Sequence, residues 1–293
     1  MYLKIAEVNA DPTAHGYKSK KYGRKERKSS YKRIFKTLGD YSFDAYQKAL
    51  VDPTIKKFKN PKELLIIDEL AINNNNISHT ERLGLLLKDG KQYQLSPLGK
   101  KYFNNEVVFE ELFKNQMLKY FSIESDKDGK RILFPYRACL KLLLNLKSIN
   151  FIEFVFGIYS MIDSSSESIV EALEGISHLR DSYPNIEITN KSNKKKVLDE
   201  LNEYFETNYS ITDVWEKKTT VNNQFIYFRN HLSLLKDLIE VDTKSIKLIP
   251  NKEGQLRTLL SKDEALENEE NESNLKEVYC GNLLIFVAFS LLK

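Results

Sequence analysis

Asn73-Asn74-Asn75-Asn76-Ile77-Ser78-His79-Thr80-Glu81-Arg82-Leu83-Gly84-Leu85-Leu86-Leu87-Lys88-Asp89-Gly90-Lys91-Gln92-Tyr93-Gln94-Leu95-Ser96-Pro97 is the stretch whose reading decides the fold. Leu83–Leu87 reads as an apolar strand, Lys88–Lys91 as a turn, and Gln92–Leu95 as the returning strand. Asp-Gly between two such runs favours a hairpin, because a type I′ turn requires φ > 0 at both central residues. Ser96-Pro97 then supplies an N-cap and a proline at the first helical position, opening a helix that continues to Phe103. Ahead of the hairpin, Asn73–Arg82 reads as a polar helix, although an asparagine run equally suits caps and loops.

Working outward, Asp40–Leu50 predicts a helix that ends near Asp52-Pro53, and Asn60-Pro61 starts another over Lys62–Ile72. Helix, helix, polar helix and two-stranded wing is the element order of a winged-helix unit. In that reading the polar helix offers Asn75, Asn76, Ser78, His79, Thr80 and Arg82, side chains that can reach base edges or phosphates. A small α+β domain with a polar exposed helix accounts for the same stretch taken alone.

The order recurs downstream. Lys217-Lys218-Thr219-Thr220-Val221-Asn222-Asn223-Gln224 opens a helix running through Arg229 to about Leu235. Leu238–Val241 reads as a strand, Asp242-Thr243-Lys244 as a turn, Ser245–Ile249 as the returning strand, and Lys252–Leu260 as a helix. The second polar helix offers Lys217, Lys218, Thr220, Asn222, Asn223, Gln224 and Arg229. Between the copies, Glu106–Phe121 reads as an amphipathic helix with Val107, Phe109, Leu112, Phe113 and Met117 facing a core. Ile123–Lys130 reads as a polar turn between subdomains. Pro135–Leu146 is apolar on nearly all faces, hence buried, and Asn150–Met161 carries an aromatic stripe that belongs in a core. Ser164–Glu167 caps a helix reaching Leu179, Lys194–Phe205 is helical, and Trp215 anchors a short helix.

Charge is local. Residues 15–36 hold ten Lys/Arg against Glu26 alone, a net +9 in a chain of net +4, so the rest carries −5. Few aliphatics stand there to form a core, and Tyr17, Tyr22 and Tyr31 interleave with the cations. The segment reads as an arm for a polyanion, with Lys18, Lys20, Lys21, Arg24, Lys25, Arg27, Lys32 and Arg33 as phosphate or groove contacts. An exposed, solvated charge run is the other reading.

Cys139 and Cys280 make no disulfide framework, which points to a reducing cytoplasm. Met1-Tyr2-Leu3-Lys4 leads into a polar stretch rather than an apolar signal sequence. Asp263–Glu277 has the acidic composition of a linker, and Leu283–Leu292 is about half the ~20 residues a membrane span needs. No Gly-rich phosphate loop, nucleophile elbow or Cys/His metal cluster is present. Asp242-Thr243-Lys244 is the best nuclease-like pattern, but no acidic residue stands on a partner strand to complete a Mg²⁺ site. The chain reads as a binder.

RLGLLLKDGKQYQLSPLGKKYF (82–103), PYRACLKLLLNL (135–146), NFIEFVFGIYSM (150–161), NNQFIYFRNHLSLL (222–235) and IKLIPNK (246–252), behind a basic arm, form an order that resembles the N-terminal DNA-recognition half of type IIS restriction endonucleases. BpuJI and the AlwI–BstNBI group are the members it is similar to, over roughly Arg33 to Asn282. The resemblance implies a mainly α fold with small β wings (α+β). Its expected parts are an arm (1–36), a first winged helix (37–105), a linker subdomain (106–134), a second winged helix (135–262), and an acidic linker and tail (263–293) leading to a nuclease domain absent here. It implies a double-stranded DNA partner, a short asymmetric site read by a monomer through the major groove, and no membrane. No cofactor is implied for this chain; Mg²⁺ is implied for cleavage by the full-length enzyme. A non-enzymatic tandem winged-helix regulator or replication initiator is the alternative, and a helical interaction module with an acidic partner is a third.

Overall fold

The computed structural model describes residues 81–89, 92–126, 129–184, 186, 191–216, 219–269 and 272–281. The basic arm, the two helices expected over 40–72, most of the first polar helix, Lys217, Lys218 and the apolar tail therefore lie outside the described residues. The architecture is mainly helical, with three small antiparallel sheets among the described residues. These residues fall into two units, one of residues 81–120 and 263–281 and the other of residues 121–262.

In the first unit, helical residues 81–82 stop at Gly84, whose φ of +78° is the left-handed conformation that ends helices. A side chain there would also collide with the Gln116 amide and the Tyr279 carbonyl. The chain turns directly into β1 (Leu86–Asp89), which pairs with β2 (Gln92–Leu95). The strand starts three residues later than its apolar run, because Leu83 and Gly84 are spent on the turn. Asp89 pairs with Gln92, so it belongs to the ladder and not to the centre of the turn.

Ser96 caps α1 (Pro97–Phe103), accepting from the Gly99 amide at 2.8 Å while its hydroxyl donates to the Gly84 carbonyl at 2.6 Å. That pair of bonds ties hairpin to helix, as Ser-Pro predicts. α2 (Phe109–Lys119) buries Phe109, Leu112, Phe113 and Met117, with Val107 half-buried before it.

The acidic stretch read as a linker folds into a 3₁₀ turn (Glu264–Asn268) and α3 (Glu272–Tyr279). Leu266, Leu275, Val278 and Tyr279 are buried, and Gln116 donates to the carbonyls of both Leu83 and Tyr279 at 2.9 and 2.8 Å. Composition misleads there because Leu275, Val278 and Tyr279 recur at helical spacing inside an acidic background.

The second unit begins with β3 (Ser122–Asp126) and β4 (Gly129–Leu133), a hairpin where the sequence predicts only a polar turn. Its cross-strand partners Ile123 and Ile132 supply the alternation that a charged background hides. α4 (Pro135–Leu146) has its predicted bounds and is buried from Pro135 to Leu140 and at Leu142 and Leu143. β5 (Ser148–Asn150) is a strand the sequence reading missed; it is three residues long and visible only through its pairing with a strand nearly 100 residues later.

Phe151–Glu153 is α5, running on as a π-helical turn at Phe154–Ile158. α6 (Ser166–Ser182), capped by Ser165, and α7 (Lys191–Phe205) follow. Arg180 of α6 grips Glu153 through two bonds of 2.7 and 3.1 Å and donates to the Ser148 carbonyl at 2.6 Å, fixing β5.

Asp163 organises the β4–α6 junction. Its carboxylate accepts from the Ser165 amide (3.1 Å) and hydroxyl (2.6 Å), the Ser168 hydroxyl (2.5 Å) and Arg131 (3.1 Å). Burial pushes its pKa up, but these bonds outweigh burial and hold it below the ordinary carboxylate range. A depressed folded pKa gives stability that is present above the unfolded pKa of about 3.9 and is lost as pH falls through the folded value. Asp163→Asn is expected to cost about 2–3 kcal/mol at neutral pH, measured by urea unfolding, with the gap from wild type closing in strong acid.

Candidate nucleic-acid interface

α8 (Ile211–Trp215) and α9 (Thr220–Leu232) form a helix pair four residues apart in the chain. Ser210 and Asp213 close a reciprocal capping box on α8, and Thr219 caps α9 by accepting from the Asn222 amide at 3.1 Å. α9 is amphipathic by spacing. Val221, Phe225, Phe228, His231 and Leu232 are buried. Phe228 stacks on Tyr136 at 4.4 Å, and the Tyr136 hydroxyl is 2.7 Å from His231 Nδ1.

Thr220, Asn223 and Asn230 are exposed, with Gln224 and Tyr227 half-buried beside them. Of the residues singled out in the sequence, Thr220, Asn223 and Gln224 therefore share an outward stripe. Tyr227 and Asn230 complete it and were missed, although the i, i+3, i+4, i+7 rule starting from Thr220 and Asn223 would have found them.

A 3₁₀ turn (Ser233–Leu235) leads to β6 (Ile239–Val241) and β7 (Ser245–Leu248), and then to α10 (Glu253–Ser261). β7 lies between β5 and β6, each pairing antiparallel. The turn between β6 and β7 is built on Asp242. Its carboxylate accepts from the Lys244 and Ser245 amides (2.7 and 2.8 Å), the Ser245 hydroxyl (2.8 Å) and Lys247 (2.9 Å). Lys247, with the Lys244 amide and Ser245, holds this carboxyl well below the ordinary range. The carboxylate thus holds the β6–β7 turn together. Among the described residues no group of three or more His, Cys, Asp or Glu could hold a metal ion.

Two arginines depart from their expected posture. Arg229 does not point outward with Asn223; its Nη1 donates to the Asp242 carbonyl at 2.6 Å, and its guanidinium lies 6.0 Å from the Phe225 ring. It joins α9 to the β6–β7 turn. Arg82 is 8% exposed and close enough to Tyr120 to oppose the rise in phenol pKa that burial causes, so it is not displayed as a base contact. An open cleft of about 470 Å³ beside α9 is lined by Asn222 together with Phe151, Trp215, Phe225, Arg229 and Lys244. Asn75, Asn76, Ser78, His79 and Thr80, like the arm residues and Lys217 and Lys218, lie outside the described residues. No helix among the described residues is long and apolar enough to cross a membrane.

No protein-family model matches the chain, and no curated protein matches it. Among solved structures it is similar to the BpuJ1 endonuclease binding domain, determined in complex with pyrene- and phenanthrene-modified DNA. The match covers 78% of this chain and 84% of that one, at 14% identity and a TM-score of 0.43.

Proposed function

We propose that this chain binds double-stranded DNA sequence-specifically, as the target-recognition part of a type IIS restriction endonuclease, reading a short asymmetric site as a monomer. The observation that carries the reading is the second unit. α4, β5, the α8–α9 pair, and the β6–β7 hairpin with β7 central have the element order and strand pairing of a winged helix, with α5 to α7 inserted before the helix pair. α9 is the recognition helix, entering the major groove with Thr220, Asn223, Gln224, Tyr227 and Asn230 outward. Asparagine and glutamine suit the paired donor and acceptor of adenine. The β6–β7 turn is the wing, and Arg229 fixes it to the recognition helix.

By the sequence repeat, 37–105 is a first winged helix, in which Asn75, Asn76, Ser78, His79 and Thr80 carry the contacts and Arg82 supports them from the interior. Residues 1–36 lie along the phosphates. Cleavage and its Mg²⁺ belong to a separate nuclease domain.

Asn223→Ala is expected to cost about 1–3 kcal/mol on one preferred duplex and almost nothing on unrelated duplexes, measured by fluorescence anisotropy. Equal losses on all duplexes would reduce Asn223 to a backbone contact. No loss on any would remove α9 from the interface.

A further inference from the structure

The open cleft of about 470 Å³ lies on the flank of α9 that carries Asn222, Ile226 and Arg229. It is separate from the outward stripe of Thr220, Asn223, Tyr227 and Asn230. Its volume falls within the roughly 300–1,000 Å³ of small-ligand pockets. Four elements wall it: α5 through Phe151, α8 through Trp215, α9, and the β6–β7 turn through Lys244.

These walls are bonded to one another or to their surroundings. The Phe151 amide donates to the Lys244 carbonyl at 3.2 Å, joining α5 to the turn. Arg229 joins α9 to the same turn through the Asp242 carbonyl at 2.6 Å. The Trp215 indole N–H donates to the Ile186 carbonyl at 3.3 Å, which sets the ring's orientation. Phe151 and Phe225 hold each other at 5.3 Å between ring centres. The cleft is therefore a built opening with fixed sides, formed ahead of any ligand.

Its chemistry is more selective than an apolar floor. Phe151 and Trp215 are only half-buried, so part of each ring remains accessible beside the buried Phe225. The Asn222 side-chain amide has no hydrogen-bond partner among the described residues, its main-chain N–H alone being bonded, to Thr219. Arg229 donates to a neutral carbonyl and makes no ion pair among the described residues. With Lys244 it sets two cations against Glu216, the acidic residue of the lining, which leaves the cleft net positive. An apolar side chain from a protein partner would use the rings but leave the amide and the cations unanswered. A nucleotide uses all three. Its base stacks on aromatic rings, its edge pairs with an amide, and its phosphate meets the cations.

We propose that this cleft is a nucleotide pocket, taking one unstacked base against Phe151 and Trp215 with its phosphate on Arg229 and Lys244. The proposal goes beyond duplex recognition by the outward stripe of α9 and stands on different residues. Its ligand chemistry has two sources, a free mononucleotide or a nucleotide unpaired from a nucleic acid.

Trp215 is the sole tryptophan of the chain, so its fluorescence reports on the pocket directly. The test titrates the full chain with nucleoside 5′-monophosphates, with the matching nucleosides and with ribose 5-phosphate. A second arm compares duplexes carrying a single bulged nucleotide with their fully paired counterparts. Monophosphates are expected to change Trp215 emission saturably, nucleosides to bind about tenfold more weakly, and ribose 5-phosphate to do nothing. Lys244→Gln should bring the monophosphates close to the nucleosides while leaving the nucleosides unchanged. A response to monophosphates alone assigns the pocket to a free nucleotide. A response to the bulged duplex and not to the paired one assigns it to an unstacked nucleotide of a nucleic acid. No response in either arm would overturn the pocket, and so would an equal response to ribose 5-phosphate, since the base would then not be recognised. An equal response to both duplexes with none to monophosphates would overturn it too, because a duplex lying over Trp215 would suffice. The mononucleotide arm does not depend on duplex binding by α9, so the two proposals fail separately.

Discussion

Arg137→Met is expected to lower the unfolding free energy of the 121–262 unit by about 3–5 kcal/mol, read from the urea midpoint at constant slope. Arg137 lies on α4 and is 1% exposed. Its Nη1 donates to the Lys262 carbonyl at 2.9 Å and its Nη2 to the Leu260 carbonyl, so the guanidinium caps the C-terminal end of α10. The last carbonyls of a helix have no partner within it, and a cation there also faces the negative end of the helix dipole.

Replacing a buried ion pair wholesale by apolar residues is often neutral. That exemption does not apply here, because the acceptors are main-chain carbonyls that methionine leaves behind unpaired. Hydrogen bonds to a charged group contribute about 1.5–3 kcal/mol each, and two are lost. Methionine fills most of the volume, so the loss reports the bonds and not a cavity. Because α10 follows β7 directly, the same change should loosen the wing. A loss under about 1 kcal/mol would mean that water or another donor takes over both carbonyls.

Deletion of residues 1–36 is expected to have the largest effect on binding. The segment between residues 15 and 36 concentrates ten cations in a chain whose remainder is net negative. If about six of those cations sit on phosphates, their loss removes roughly five units from the salt slope. Six such contacts make the intact chain lose about 10³ in affinity between 50 and 200 mM salt, so the truncated chain should bind more weakly and far less steeply. Preference among sequences should change little where the arm touches only backbone. An unaltered slope would assign the arm to solvent and leave the two helical units as the whole interface.

What the sequence made legible were features set within a few residues. Ser96-Pro97 and Ser165 mark helix starts through their own side chains, and Pro135–Leu146 declares its burial by composition. The β6–β7 hairpin and the helices around it appear close to their expected bounds for the same reason. The features that escaped depend on distant partners. β5 is three residues that become a strand only against β7, and Glu272–Tyr279 folds because Leu275, Val278 and Tyr279 find a core.

In the candidate site, residue type was legible and posture was not. Asn223 and Arg229 read alike in the sequence as candidate base readers, yet Asn223 is exposed and Arg229 is bonded to the Asp242 carbonyl. A guanidinium that can grip a guanine edge can equally grip a carbonyl of its own wing, and only the tertiary neighbour decides. Arg82 went inward by the same ambiguity.

The most direct test of sequence-specific duplex recognition is selection of bound sequences from a random duplex pool by the full chain at physiological salt. The proposal predicts a short asymmetric consensus, with Asn223→Ala relaxing a contiguous part of it. A palindromic consensus would point instead to a dimeric regulator built from the same units, and retention of duplexes with no consensus at all would contradict sequence-specific recognition.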